Sequence, residues 1–201
     1  MAKKLPAHPK PPADLAELNL LVKETTCAWW RSHRSSQGAI FFGRTGDNRY
    51  DAPAGEYGIL YLAETEAGAF VETYLRNPKG IPVYVSMTEL GQRHFTAIKF
   101  DAPLRLVDLT GSGLARMGAD DRLTSGTYAV SQQWALALWN HPERPDGILF
   151  RSRNDPEQVC CGVFDRRSDA KTGRTLGSLV GPGNATLLGG LLDRYGTALL
   201  P

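Results

Sequence analysis

Cysteine is scarce in this chain, with three residues in 201, two of them adjacent at Cys160 and Cys161. Three thiols do not make a disulfide framework, and a reducing compartment is the reading that follows. Metal-ligand spacing is also missing. There is no C-x-x-C pair and no H-E-x-x-H, and His8, His33, His94 and His141 are scattered, so no metal site is expected. No apolar run approaches the length that spans a bilayer. The opening MAKKLPAHPKPPA has lysines without a following apolar core, so it is not a signal peptide. Charge of one sign is lacking as well: a net charge of +2 does not indicate direct nucleic-acid binding. A cytoplasmic protein is expected. Familiar catalytic signatures are absent too. GSG (111–113) and LGSLVG (176–181) lack the spacing of a G-x-S-x-G elbow, and no Walker A loop occurs. GPG (181–183) runs into Asn-Ala-Thr, which excludes a dinucleotide-binding G-x-G-x-x-G.

What is present is an ordinary globular composition, 42% hydrophobic and 22% charged, in a length that suits one domain with a sizeable core. Residues 1–13 read as a flexible, proline-rich arm and 14–201 as the folded domain. Asp14 and Glu17 fit a capping box ahead of Leu15, Leu18, Leu21 and Val22, which predicts a first helix. Strands are expected at Cys27–His33, Ile59–Leu62, Pro82–Met87, His94–Phe100, Leu104–Leu109, Asp146–Arg151 and Gln158–Phe164. Helices are expected after Thr65, at Tyr128–Asn140 and at Asn184–Leu192, with TGSGLARMG a short helix at most. Between Ala39–Phe42 and the central strand lies a long polar loop, GRTGDNRYDAPAGEYG, of the kind that usually binds something. The pattern is one mixed α/β domain, too irregular for a doubly wound sheet.

The chain is organised around Tyr57–Asn77, where a buried strand passes into a helix. Ala69, Phe70, Tyr74 and Leu75 face inward there, and Asn77-Pro78 stops the helix. Glu72 falls in the middle of that apolar face, three positions from Ala69 and three from Leu75. A carboxylate so placed has either a partner or a task. Around it stand Arg31 at the end of WWR, Arg49 in the loop, Tyr61 in the central strand and Ser152 after DGILFR. Each has a plainer reading. Arg31 can stack on tryptophan, Glu72 can pair with Arg31 or Arg49, Tyr61 can be core, Ser152 can cap a strand, and Arg49 can be solvated. Tyr128, Trp134 and Trp139 are left as core and helix surface, and Cys160 and Cys161 as small buried apolar residues.

The order WWRSH, GDNRY, GILYLA, AFVET and DGILFRSR, with Tyr61 eleven residues before Glu72, resembles the RES domain, named for its arginine, glutamate and serine. The likeness runs from about Trp29 to Phe164. That family consists mostly of the toxin halves of bacterial toxin–antitoxin pairs. The resemblance implies a fold like that of ADP-ribosyltransferases, with twisted sheets and flanking helices. It also implies NAD⁺ as substrate, with no cofactor, and cleavage of the nicotinamide–ribose bond onto water or phosphate (glycohydrolase or phosphorylase). Some members are instead described as transferring ADP-ribose to a macromolecule. Carried over by motif, Arg31, Glu72 and Ser152 match the catalytic set, and Arg31, Arg49, Tyr61 and Ser152 the substrate-binding set. Where the family commonly has Phe after the second arginine, this chain has Tyr50. The N-terminal arm and the segment from Asp165 onward have no counterpart in the family.

The chemistry suits these residues. The nicotinamide leaving group is already cationic, so its departure needs no general acid. The oxocarbenium-like ribose left behind is stabilised by a carboxylate near C1′, which assigns that part to Glu72. Arginine forks suit the diphosphate, hence Arg31 and Arg49. Tyr61 would stack on the nicotinamide, and Ser152 would hydrogen-bond its amide or ribose. Three classes remain: an NAD⁺-degrading toxin, an ADP-ribosyltransferase using the long loop to recognise its acceptor, and a non-catalytic interaction module. A toxin implies an antitoxin, expected to carry a helix-turn-helix DNA-binding domain and to insert a chain end toward Arg31 and Arg49. A homo-oligomer is left open.

Overall fold

The apolar runs of the sequence become strands whose alternate side chains enter two separate cores. The computed structural model describes residues 8–77 and 80–201. Its first elements are β1 (Val22–Thr25), β2 (Trp29–Arg34), β3 (Ile59–Ala63) and α1 (Glu66–Tyr74). There follow β4 (Val83–Ser86), α2 (Met87–Gly91), β5 (Arg93–Phe100), β6 (Leu104–Asp108), α3 (Ser112–Arg116), α4 (Arg122–Ser125) and α5 (Tyr128–Trp139). The chain closes with β7 (Gly147–Arg151), β8 (Val159–Phe164), β9 (Ala170–Gly177), α6 (Ala185–Tyr195) and β10 (Thr197–Leu200). Eight strands form one sheet in the order β1-β6-β7-β8-β3-β2-β5-β9, antiparallel throughout except for the parallel pair β6/β7. Strands β4 and β10 pair separately, in parallel. This is the mixed α/β class expected.

Both faces of the central strands are covered, which is why they read as continuous apolar runs. In β3, Ile59 and Ala63 enter the larger core beneath the helices, while Leu60 and Leu62 enter the smaller one. Cys160 and Cys161 divide in the same way, as do Ile148 and Leu149. The larger core holds Phe70, Trp134, Tyr57 and Phe164, all fully buried. Truncating one such aromatic to alanine costs about 3–5 kcal/mol. The smaller core is closed by Ile40 and Phe42 from the Ala39–Phe42 run. Arg167 pins the turn after β5 to the turn after β8. It donates to the carbonyls of Ala102 and Pro103 and pairs with Asp146 and Asp169 at 2.7 Å each.

Helix α1 lies unusually close to the sheet. Gly68 permits this, because a Cβ there would meet the Ala63 Cβ at 2.8 Å. Thr65 caps the helix by accepting from the Gly68 N–H at 3.0 Å. The helix ends with Leu75 as its cap, earlier than Asn77-Pro78 predicts, and Pro78 lies outside the described residues.

The expected first helix does not form. Leu15–Glu17 is a single 3-10 turn, Asp14 makes no side-chain cap bond, and Val22 instead begins β1. Pairing of Val22–Thr25 along the edge of β6 outweighs a weak local preference. Of the N-terminal arm, residues 1–7 lie outside the described residues. Pro9 is docked, its carbonyl accepting from the Trp134 indole at 2.9 Å. The edge strand β9 went unpredicted because AKTGRTLG is polar and mostly exposed. Helix α6 forms despite Gly189 and Gly190, running three residues beyond the expected end at Leu192 to Tyr195. It stops at Gly196, whose φ of 55° is left-handed. Among the described residues no helix is long and apolar enough to cross a membrane.

Candidate active site

Sheet pairing brings the separate motifs to one place. Strand β2 lies between β3 and β5, and β8 runs beside β3 with β7 beyond it. Trp30 on β2, Tyr61 on β3, Cys160 on β8 and Phe150 near the end of β7 all face the larger core and share one floor. Arg31 also contributes to the lining, but it alternates to the other face of β2, where its guanidinium meets the Ala39 and Phe41 carbonyls. Helix α1 supplies one wall through Glu72, the chain just past its C-cap adds Arg76, and the start of α5 supplies another wall through Tyr128. The result is a cleft of about 260 Å³.

Four of the five residues carried over by motif line this cleft: Arg31, Arg49, Tyr61 and Glu72. Glu72 is half-buried at the rim of the α1 apolar face, not in its middle. Its partner is Ser152, whose hydroxyl donates to Glu72 Oε1 at 2.5 Å. Among the described residues Glu72 makes no ion pair with Arg31 or Arg49, so the pairing reading fails for it. Ser152 does not itself line the cleft. It is 2% exposed, and its Oγ also accepts from the N–H groups of Asn154 at 3.2 Å and Asp155 at 3.3 Å. With its only proton on Glu72, Ser152 orients the carboxylate.

The arginines are held by neutral partners. Arg31 donates through Nη1 to the carbonyls of Ala39 at 2.7 Å and Phe41 at 3.2 Å. Burial, and then the nearby Arg93 charge, pushes its guanidinium down to about 10. Arg49 donates to the Gly126 carbonyl at 2.8 Å and lies over the Tyr128 ring, 4.7 Å from its centroid. Burial lowers its pKa also. Tyr61 presents its ring to the cleft, but its hydroxyl donates to Asp51 Oδ1 at 2.9 Å and accepts from the Tyr50 N–H at 3.0 Å.

Asp51 organises the long loop. It is fully buried and accepts from the Thr45 hydroxyl and from both the N–H and the side-chain amide of Asn48. The loop is thus tied down, with Tyr50 and Tyr57 in the core. Burial pushes the Tyr61 and Tyr50 phenols well up, and the Asp51 charge adds to this at Tyr61.

Sequence reasoning missed Arg76, Tyr128, Asn48 and Arg153, all in the cleft wall. One signal for Arg76 was available: it stands four residues after Glu72, on the same side of the helix that Asn77-Pro78 predicts, although α1 itself ends at Tyr74. Tyr128, left together with Trp134 and Trp139 as core and helix surface, lies at the first turn of α5 and in the cleft wall. His33 is structural, its Nε2 on Thr96 Oγ1 at 3.1 Å and its Nδ1 near the Arg34 and Gln37 carbonyls.

The chain is 34% identical over 83 residues to "Probable toxin y4kH" of Sinorhizobium fredii, covering 41% of this chain and 65% of that relative. It spans less than two thirds of the relative's length. Its fold is similar to a chain of the crystal structure of the M. tuberculosis MbcT–MbcA toxin–antitoxin complex. The TM-score is 0.62 at 17% identity, covering 78% of this chain and 86% of the other. That likeness shows a shared fold, of the mixed α/β class expected. The RES domain family matches residues 28–179, a stretch that includes every residue of the cleft named above, and the chain belongs to that family.

Proposed function

We propose that this protein is the toxin of a toxin–antitoxin pair and that it degrades NAD⁺ by cleaving the nicotinamide–ribose bond. One observation carries the reading. A single carboxylate, Glu72, fixed by Ser152, faces a cleft lined by Arg49, Arg76 and Arg153, none of which makes an ion pair among the described residues. Such a surplus of cations suits a diphosphate, and a lone oriented carboxylate suits the cation that forms at C1′. The C1′–N bond breaks with its electron pair passing to the nicotinamide, which leaves neutral. An oxygen of water or phosphate then bonds to C1′, and a proton from water passes to Glu72 or to solvent.

Transfer of ADP-ribose to a macromolecule is the competing chemistry. The loop that would recognise such an acceptor is tied inward by Asp51, which favours a small acceptor. Purified protein incubated with NAD⁺ should release nicotinamide with no protein acceptor present. Release only with an acceptor would establish transfer, and no release would overturn the proposal. Glu72→Ala should lower turnover by about 10²–10³-fold while leaving binding of ADP nearly unchanged, and should relieve toxicity on expression in bacteria. The partner is then an antitoxin with a helix-turn-helix domain that inserts a chain end toward Arg31 and Arg49. A structure of that complex with the cleft mouth open would count against the insertion.

A further inference from the structure

Two arginines of the cleft converge on one tyrosine. The Cζ of Arg49 lies 4.7 Å from the centroid of the Tyr128 ring and that of Arg76 lies 5.8 Å from it. Arg76 donates through Nη2 to the Tyr128 hydroxyl at 2.9 Å and through Nη1 to Asn48 Oδ1 at 2.9 Å. Arg49 is anchored on the Gly126 carbonyl and on the Ser131 hydroxyl. All these partners are neutral. Among the described residues neither guanidinium has a carboxylate within ion-pair distance, and the one acid in the cleft wall is turned to Ser152. Burial is the largest single influence and opposes the Arg76 charge, but Tyr128 and the Glu72 charge together outweigh it and raise the guanidinium's pKa. Like charges brought to one ring by neutral acceptors repel, and the repulsion is relieved by an anion that both can reach. Two forks side by side match two adjacent phosphoryl groups better than one.

We infer that Arg76, aimed by Tyr128 and Asn48, is the second arm of a diphosphate clamp with Arg49, so that the cleft selects diphosphate ligands over monophosphates. The inference deepens the reading above and rests on it for the dinucleotide. The clamp itself is tested without turnover. Titration calorimetry of the full chain with ADP and AMP compares wild type with Arg76→Met, which keeps the apolar stem. Affinity for ADP should fall by about 10–100-fold and for AMP by less than about threefold. A parallel fall for both nucleotides, or none, would overturn the clamp. Should Arg76→Met fail to fold, Tyr128→Phe keeps both charges and removes only the hydroxyl that aims Arg76. It should weaken ADP selectively by several-fold, and an unchanged preference would count equally against the proposal. Nicotinamide release from the same samples separates the two ideas. ADP selectivity that depends on Arg76 without any release would remove the NAD⁺ reading and leave the clamp. Release with the same KM in wild type and Arg76→Met would remove the clamp alone.

Discussion

Replacing Ser152 by alanine separates positioning from substrate contact. The hydroxyl donates its one proton to Glu72 Oε1 at 2.5 Å and sits beneath the cleft, 2% exposed. Removing it leaves the carboxylate free to rotate toward solvent or toward the Arg49 and Arg76 charges. A hydrogen bond to a charged group contributes about 1.5–3 kcal/mol, which converts to about 10–150-fold in kcat if Glu72 acts only when held in place. KM should move by less than about threefold, because no part of Ser152 lines the cleft. Two further bonds are lost, those from the Asn154 and Asp155 N–H groups, so stability should fall by about 1 kcal/mol. The assay is steady-state nicotinamide release with urea unfolding alongside. Ser152→Thr, which retains the hydroxyl, should recover much of kcat. A raised KM with kcat unchanged would refute the reasoning, for it would mean that Ser152 touches the substrate, as the family motif implied.

Three other outcomes follow from the structure. Tyr50 is fully buried, its hydroxyl has no hydrogen-bond partner among the described residues, and burial holds its phenol well up; Tyr50→Phe should therefore stabilise the protein by about 1 kcal/mol in urea unfolding. Arg167→Met should cost about 2–3 kcal/mol, because it leaves Asp146 and Asp169 facing each other without their cation. Arg167 holds the Asp169 carboxyl well below the usual range, so that stabilisation is present above about pH 4 and is lost as pH falls through the depressed value; the variant's unfolding midpoint should be flatter with pH in that window. Burial lowers the Arg31 guanidinium to about 10, and the unfolded chain holds the proton longer, so this group's contribution to stability rises with pH above about 10; urea unfolding of Arg31→Ala should lack that rise.

Strands buried on both faces were legible because each carries its signal locally: GILF and the ILYL run are continuous apolar stretches, and the sheet needed nothing more to place them. The helix of Tyr57–Asn77 was legible for the same reason. Asp14–Val22 was misread because its fate depends on β6, more than eighty residues away in the chain, which pairs with Val22–Thr25. Strand β9 escaped because an edge strand with polar residues on both faces has no period to detect. Within the cleft, Arg31, Arg49, Tyr61 and Glu72 were reached through motif order, while their plainer readings were equally consistent with the residues taken singly. Arg76 and Tyr128 lie outside those motifs. Tyr128 reaches the cleft only because α5 packs with its first turn beside the loop, a tertiary fact that no periodicity encodes.

The long loop explains how so many cations can share one cleft without being neutralised by the protein itself. Its acid, Asp51, is fully buried yet bonded to no cation; four hydrogen bonds from Thr45, Asn48 and Tyr61 hold it. Because the Tyr61 hydroxyl takes one carboxylate oxygen while the Tyr61 ring forms the cleft floor, the negative charge sits behind that ring. The arginines stand in front of it with carbonyls, an amide and a phenol as partners. A carboxylate placed to pair with Arg49 or Arg76 would stabilise the empty fold and compete with an incoming phosphate. Satisfying Asp51 with neutral donors instead fixes Asn48 and Arg49 in position and leaves the guanidinium without an ion-pair partner among the described residues. A local departure from charge pairing is tolerated where binding supplies the counter-charge, and here it coincides with the residues that five separated motifs bring together.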